Sequence, residues 1–306
     1  MTARTLTVVR VPGVGAEDVL VGDDGTVYTG TDDGSIFAVR PDGDQVTRVG
    51  RTGGRPLGLE WLADGRILIC DAHAGLLALD VSTGSVETLL TEVAGRRMVF
   101  CNNAAVATDG TIYFSDSSRV HSIEHWKDDM VEDTTSGRLL RRGTDGTVEV
   151  LIDGLRFANG VALSTAEDFV CVAETTGRTV VRHWLSGPKA GTTDHLATDL
   201  PGYPDNIARG SDDLIWVTIA SPQDPAMDLL HRAPMWLRRA ALRLPEAVQP
   251  APKRTARVMA FDDDGVRVHD VTLPAEDYHL VTGVRERDGR VWLGSLVEPA
   301  VAWFDL

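Results

Sequence analysis

The chain has 306 residues, 43% apolar and 25% charged, and a formal charge of −15. This is the composition of a soluble globular protein with ample material for a core, and its acidity argues against nucleic acid or anionic membranes, which need clustered Lys and Arg. The same acidity fits cation binding as well as plain solubility.

Residues 5–11 alternate apolar and polar and predict a strand standing alone. A phrase then begins that recurs along the chain: an apolar-alternating run, a turn, and a second β-rich run. It appears as Val19-Leu20-Val21-Gly22-Asp23-Asp24-Gly25-Thr26-Val27-Tyr28, again around Asp64-Gly65, and again around Asp109-Gly110. Weaker copies span residues 161–172, 207–217 and 284–293, the last turning at Asp288-Gly289. Asp-Gly between alternating runs predicts two-residue hairpins with positive φ at both turn positions. A second strand pair follows most copies, turning at Asp42-Gly43, Thr83-Gly84, Asp145-Gly146 and Asp264-Gly265. Four strands per unit at a period of roughly 40–45 residues is the propeller-blade signature. Six units fill residues 1–306, predicting a single all-β domain, a six-bladed β-propeller. The last unit is one strand short, so the N-terminal run is expected to complete it and close the ring.

Two segments break the period. Residues 119–136 are polar and His-rich; residues 222–254 place apolar residues such as Met227, Leu230, Trp236 and Leu237 at a helical period. Both follow the first hairpin of their unit, so they should leave the same face of the disc. Each reads either as a lid over the channel mouth or as a packed surface helix.

The innermost strand of each unit starts at Glu17, Gly58, Asn102-Asn103, Asn159, Asp205-Asn206 and Gly283. Propeller symmetry brings these starts to one axis. Two carboxylates and two or three amide oxygens there form an all-oxygen cage suited to one divalent metal, Ca²⁺ above others; zinc would want His or Cys. Any single Asn or Asp among them could equally be a turn former.

Several motifs resemble those of strictosidine synthase-like proteins, particularly the adipocyte plasma membrane-associated type. They are Phe157-Ala158-Asn159-Gly160-Val161-Ala162-Leu163-Ser164, Ala173-Glu174-Thr175-Thr176, Gly202-Tyr203-Pro204-Asp205-Asn206-Ile207, Tyr113-Phe114-Ser115-Asp116-Ser117-Ser118 and Asp71-Ala72-His73-Ala74-Gly75-Leu76. The resemblance covers nearly the whole chain and extends more distantly to gluconolactonases of the senescence marker protein family and to paraoxonases. It implies a six-bladed propeller with a channel Ca²⁺ that hydrolyses lactones or esters. Glu17, Asn102, Asn159 and Asp205 would be metal ligands, with Asn206 a fifth. Strictosidine synthase carries a catalytic Glu where this chain has Thr282, and Glu286 reads as part of the outer hairpin, so amine–aldehyde condensation is not expected. Relatives often have Asp where this chain has Asn103, which argues against a second, structural metal.

His73 lies in a motif where paraoxonase-like proteins carry a channel histidine, and it and Asp205 are the candidate bases for the attacking water. Substrate contacts are expected from His121, Tyr203, Trp236, His279 and Thr282. The remaining histidines, His183, His195, His231 and His269, read as blade-edge or surface residues, apart from His125 in the first insertion. The expected substrate is a hydrophobic lactone or ester; a non-catalytic ligand-binding propeller and a Lewis-acid isomerase or cyclase are the alternatives. No run approaches the ~18 apolar residues of a membrane span, and the N-terminus has no signal-like apolar segment. Cys70, Cys101 and Cys171 sit in apolar surroundings, which points to a reducing, cytoplasmic location.

Overall fold

The computed structural model describes residues 4–245, 249 and 251–306; the part of the second insertion at 246–248 and 250 lies outside them. Six four-stranded antiparallel sheets follow one another around a ring. We number them as blades I to VI by their innermost strands: Leu20–Val21, Pro56–Trp61, Cys101–Val106, Ala158–Leu163, Gly202–Arg209 and Val281–Arg287. Blade VI takes its outermost strand from the other end of the chain. Thr7–Arg10 pairs antiparallel with Ala300–Asp305, Thr7 opposite Trp303 and Arg10 opposite Ala300. The N-terminal run thus closes the circle and covers the edge of Ala300–Asp305.

The core is divided rather than central. Each pair of neighbouring blades buries its own apolar wedge, and six wedges complete the ring. The alternation of each strand explains this arrangement, since one blade face meets the preceding blade and the other the following one. The three cysteines are free and buried within these wedges, where they pack as small apolar groups.

The Asp-Gly turns differ from expectation. Gly25, Gly65 and Gly110 have φ near +80°, but the aspartates before them do not have positive φ. Instead each Asp carboxylate accepts the backbone N–H two residues on, as in Asp24 from Thr26 at 3.0 Å and Asp109 from Thr111 at 2.8 Å. The glycine N–H bonds back three residues, so these are longer loops built on a type I-like turn. Only Asp288-Gly289, with φ of 52° and 82°, is the two-residue hairpin that the dipeptide predicts.

Both insertions join the second and third strands of their blades. In blade III the connection holds α1 (Trp126–Glu132), and in blade V it holds α2 (Pro225–His231) and α3 (Met235–Ala241). The insertions latch to each other. Glu132 accepts Arg239 at 2.9 Å, its carbonyl oxygen accepts Arg238 at 2.8 Å, and His231 Nε2 donates to the Met130 carbonyl at 2.8 Å. His231 is therefore a latch between insertions, not a blade-edge residue. No described helix is long and apolar enough to cross a membrane.

Candidate metal and substrate site

Five of the six innermost strands carry a register shift near their start, between Pro56 and Gly58, Cys101 and Ala104, Ala158 and Val161, Pro204 and Ile207, and Val281 and Val284. A bulge re-aims the side chains at which it falls. The result is a pair of residues per blade with opposite duties. The first members are Glu17, Leu57, Asn102, Asn159, Asp205 and Thr282, and all six line one cavity at the channel mouth.

The second members fill the axis below. They alternate polar and glycine around the ring: Asp18, Gly58, Asn103, Gly160, Asn206, Gly283. Asp18 accepts the Leu59 N–H at 2.9 Å, and the Asn103 side-chain oxygen accepts the Val161 N–H at 2.9 Å. The glycines are sterically required. A Cβ on Gly160 would stand 2.0 Å from the Ile207 nitrogen, and one on Gly283 2.6 Å from the Asp18 Cα.

The oxygens of the upper ring are poised for a cation. Asn102 donates from Nδ2 to Ser117 Oγ at 2.9 Å, and Ser117 in turn donates to the Ala158 carbonyl at 2.7 Å. Ser117 has only lone pairs left for Asn102, so the amide orientation is fixed and Oδ1 faces the cavity. The Oδ1 atoms of Asn102, Asn159 and Asn206 are all buried without a hydrogen-bond partner. Buried amide oxygens are rarely left orphaned, and those of Asn102 and Asn159, which line the cavity, call for a ligand, while Asn206, expected as a fifth ligand, lies in the ring beneath. Asn206 also donates weakly to both Glu17 oxygens, at 3.3 and 3.4 Å.

Electrostatics agree. Burial pushes Glu17 well above the usual carboxylate range, and the charges of Asp205 and Asp18 add to this. Burial pushes Asp205 up to about 7, against the hydrogen bond from Asn159. Asp18 rises to about 6 for the same reason, partly offset by Arg285. Carboxyls destabilised in this way gain most from a bound cation. The donor set is two carboxylates with amides; among the described residues no three His, Cys, Asp or Glu side chains cluster as a metal site. This chemistry fits Ca²⁺ and not zinc.

Above this polar floor the walls are apolar: Phe100, Ile123, Trp126, Met130, Phe157 and Met227. Phe100 and Phe157 meet edge to face with centroids 5.2 Å apart. The sequence carries a signal for these walls. Phe100, Phe157 and Tyr203 each stand two residues before a floor residue, Asn102, Asn159 and Asp205. Phe157 and Leu280, the latter two before Thr282, hold positive φ of 64° and 49°. Such backbone is strained for bulky residues and clusters at functional sites.

Tyr203 lines the cavity as expected, its hydroxyl accepting the Asp224 N–H at 3.4 Å. Thr282 lines it too, but its hydroxyl donates to the Glu17 carbonyl at 2.8 Å and ties blade VI to blade I. The histidines lie elsewhere, and no histidine is among the cavity's lining residues. His73 is held by Glu124 at 2.6 Å on the surface, His121 sits 3.3 Å from Glu132, and His279 lies between Glu298 at 2.5 Å and Arg254 at 3.2 Å. Trp236 is also off the cavity wall, 68% exposed on the outer side of α3. Glu286 belongs to the innermost strand of blade VI, where it is buried and accepts the Ser211 N–H at 2.7 Å.

The family model for strictosidine synthase matches residues 102–188, and that for the N-terminal part of strictosidine synthase-like proteins matches residues 4–39. The human adipocyte plasma membrane-associated protein is 34% identical over 94% of this chain and 74% of its own length. In fold, the chain is similar to a Xanthomonas campestris gluconolactonase (TM-score 0.72, 17% identity, 98% of this chain and 89% of that one). It is also similar to a calcium-binding regucalcin from Agrobacterium tumefaciens (TM-score 0.65, 13% identity, 97% and 94%). Identity and coverage with the human relative, together with the family matches at both segments, show that the chain belongs to the strictosidine synthase-like family of adipocyte plasma membrane-associated proteins.

Proposed function

We propose that the protein is a Ca²⁺-dependent hydrolase of hydrophobic lactones or esters. One observation carries this reading: Glu17, Asn102, Asn159 and Asp205 converge, with orphaned amide oxygens, on the floor of an otherwise apolar cavity. The likeness in fold to a gluconolactonase and a calcium-binding regucalcin supports it. Glu17, Asn102, Asn159 and Asp205 would hold the cation, with Asn206 steadying Glu17 from below. When bound, the cation supplies Lewis acidity to the carbonyl under attack.

The chain's own residues do the rest. Phe100, Phe157, Trp126 and Met227 hold the apolar part of the substrate and exclude bulk water, which strengthens every charge at the floor. Asp205, at the cavity floor, is the carboxylate placed to receive the proton of the attacking water. No cavity-facing histidine competes for that role. Thr282 cannot replace a catalytic Glu, and its hydroxyl is committed to Glu17, so strictosidine-type condensation is not supported. The buried free cysteines favour a reducing compartment, and we place the protein in the cytoplasm.

The absence of a cavity histidine also favours a second reading, a propeller that binds a small molecule without turning it over. Purified protein assayed on a panel of aryl esters and lactones, with chelator and with calcium restored, separates the two. The hydrolase reading expects calcium-dependent turnover favouring bulky apolar substrates. Calcium binding without turnover on any panel member would overturn it.

A further inference from the structure

Surface-exposed apolar side chains are distributed unevenly. Among the described residues, every exposed leucine, methionine and tryptophan except Leu306 lies in the second insertion: Leu229, Met235, Trp236, Leu237 and Leu244. Trp236 and Leu229 are the most open of these, at 68% and 69%. Met227, Leu230 and Leu242 on the same segment pack inward against Val131, Tyr203 and Met130. The insertion therefore has two apolar faces, one against the body and one open to solvent.

Its charge is also unlike the rest. Residues 225–245 carry four arginines (Arg232, Arg238, Arg239 and Arg243) and one aspartate, Asp228, in a chain whose formal charge is −15. Arg238 and Arg239 bond to Glu132. Arg232 and Arg243 are exposed, with no carboxylate within ion-pair range among the described residues. Lys253, 3.9 Å from Asp224, and exposed Arg254 lie in the segment that leads back into strand Ala256–Phe261.

We propose that the outer face of α2 and α3 docks on an anionic phospholipid bilayer. A helical pair with Trp, Leu and Met outward and arginines at its flanks has the composition of an interfacial anchor. The arginine stems can lie along apolar surface while the guanidinium heads meet lipid phosphates. The acidity of the whole chain opposes such contact, but the Debye length of about 8 Å at physiological salt lets this local patch act apart from it. The same insertion borders the cavity on its inward side, where Met227, Ala251 and Pro252 line it. Docking there would present the mouth to the bilayer; this last point alone rests on the proposed hydrolysis of apolar substrates.

The test uses the whole purified protein with sedimented vesicles of phosphatidylcholine, with or without phosphatidylglycerol, in chelator so that no calcium bridge contributes. The expected result is binding to the anionic vesicles, falling as salt rises. Replacing Arg232 and Arg243 by Ala should weaken it by roughly fivefold per arginine, and Trp236→Ser with Leu237→Ser by about tenfold. These side chains are exposed, and unchanged melting of each variant confirms the fold. No binding to anionic vesicles, or wild-type binding by both variants, overturns the proposal. So does a dimer in sedimentation velocity that Trp236→Ser dissolves while vesicles bind nothing, which would assign the face to a second copy. None of these readouts needs catalysis, so hydrolytic failure and docking failure remain distinguishable.

Discussion

At the scale of single residues, Glu17, Asn102, Asn159 and Asp205 meet because they occupy one position in four blades. Glu17→Gln and Asp205→Asn should each abolish stoichiometric calcium, read by elemental analysis after gel filtration. Ser117→Ala should weaken calcium by roughly tenfold, because it frees the Asn102 amide to turn. The buried carboxyls also set a pH dependence. Asp18 and Asp205 move from an ordinary 3.8 up to about 6 and about 7 in the fold. A raised carboxyl pKa means the folded chain keeps protons the unfolded chain has lost, so its stability is full below about pH 4 and is lost as pH rises through the folded value. In chelator, the melting temperature should therefore fall between pH 4 and 7, less steeply in Asp205→Asn, and saturating calcium should remove the fall. A flat profile in chelator would contradict the burial of these groups. These floor residues were legible because blade symmetry fixes strand starts. The histidines were not, because His73, His121 and His279 lie in connections where position along the chain does not fix direction.

Among elements, the insertions show what periodicity can and cannot tell. A helical period in residues 222–254 predicts α2 and α3, and the shared point of insertion predicts their meeting with α1. Which face turns inward is decided by the partner. Tyr203, Val131 and Met130 receive Met227, Leu230 and Leu242, leaving Trp236 outside. Met227 is therefore the roof residue, and Met227→Ala should raise KM for bulky aryl esters by roughly tenfold while small lactones change little. An equal effect on both classes would mean that the helix only stabilises the fold. The turns carry a similar lesson. The Asp-Gly pairs read as turns do fall at reversals, but the Asp side chain, by accepting the N–H two residues on, selects a longer loop than the dipeptide alone implies.

Over the whole molecule, ring closure depends on one short strand. Thr7–Arg10 supplies the outer edge of blade VI and buries Val9 in the wedge between blades VI and I. Removing residues 4–11 should lower the melting temperature by roughly 10 °C or more and broaden the transition, read by calorimetry. Unchanged melting would show that the ring closes without it. This closure was legible in sequence because the last unit lacks a strand that the first residues provide. The distribution of the core into six wedges was less so, since alternation gives each residue a side but not a neighbour.

The alternating ring of Asp18, Asn103 and Asn206 with Gly58, Gly160 and Gly283 stoppers the axis below the site. The propeller is a cup and not a pipe. A molecule in the cavity lies between this floor and the walls that Trp126 of α1 and Met227 of α2 supply. On the proposed hydrolysis, product and fresh substrate would compete for this cavity, so competitive inhibition by product is expected. A chain-like substrate can dip only its end into such a cup, so chemistry is confined to groups near a molecule's tip.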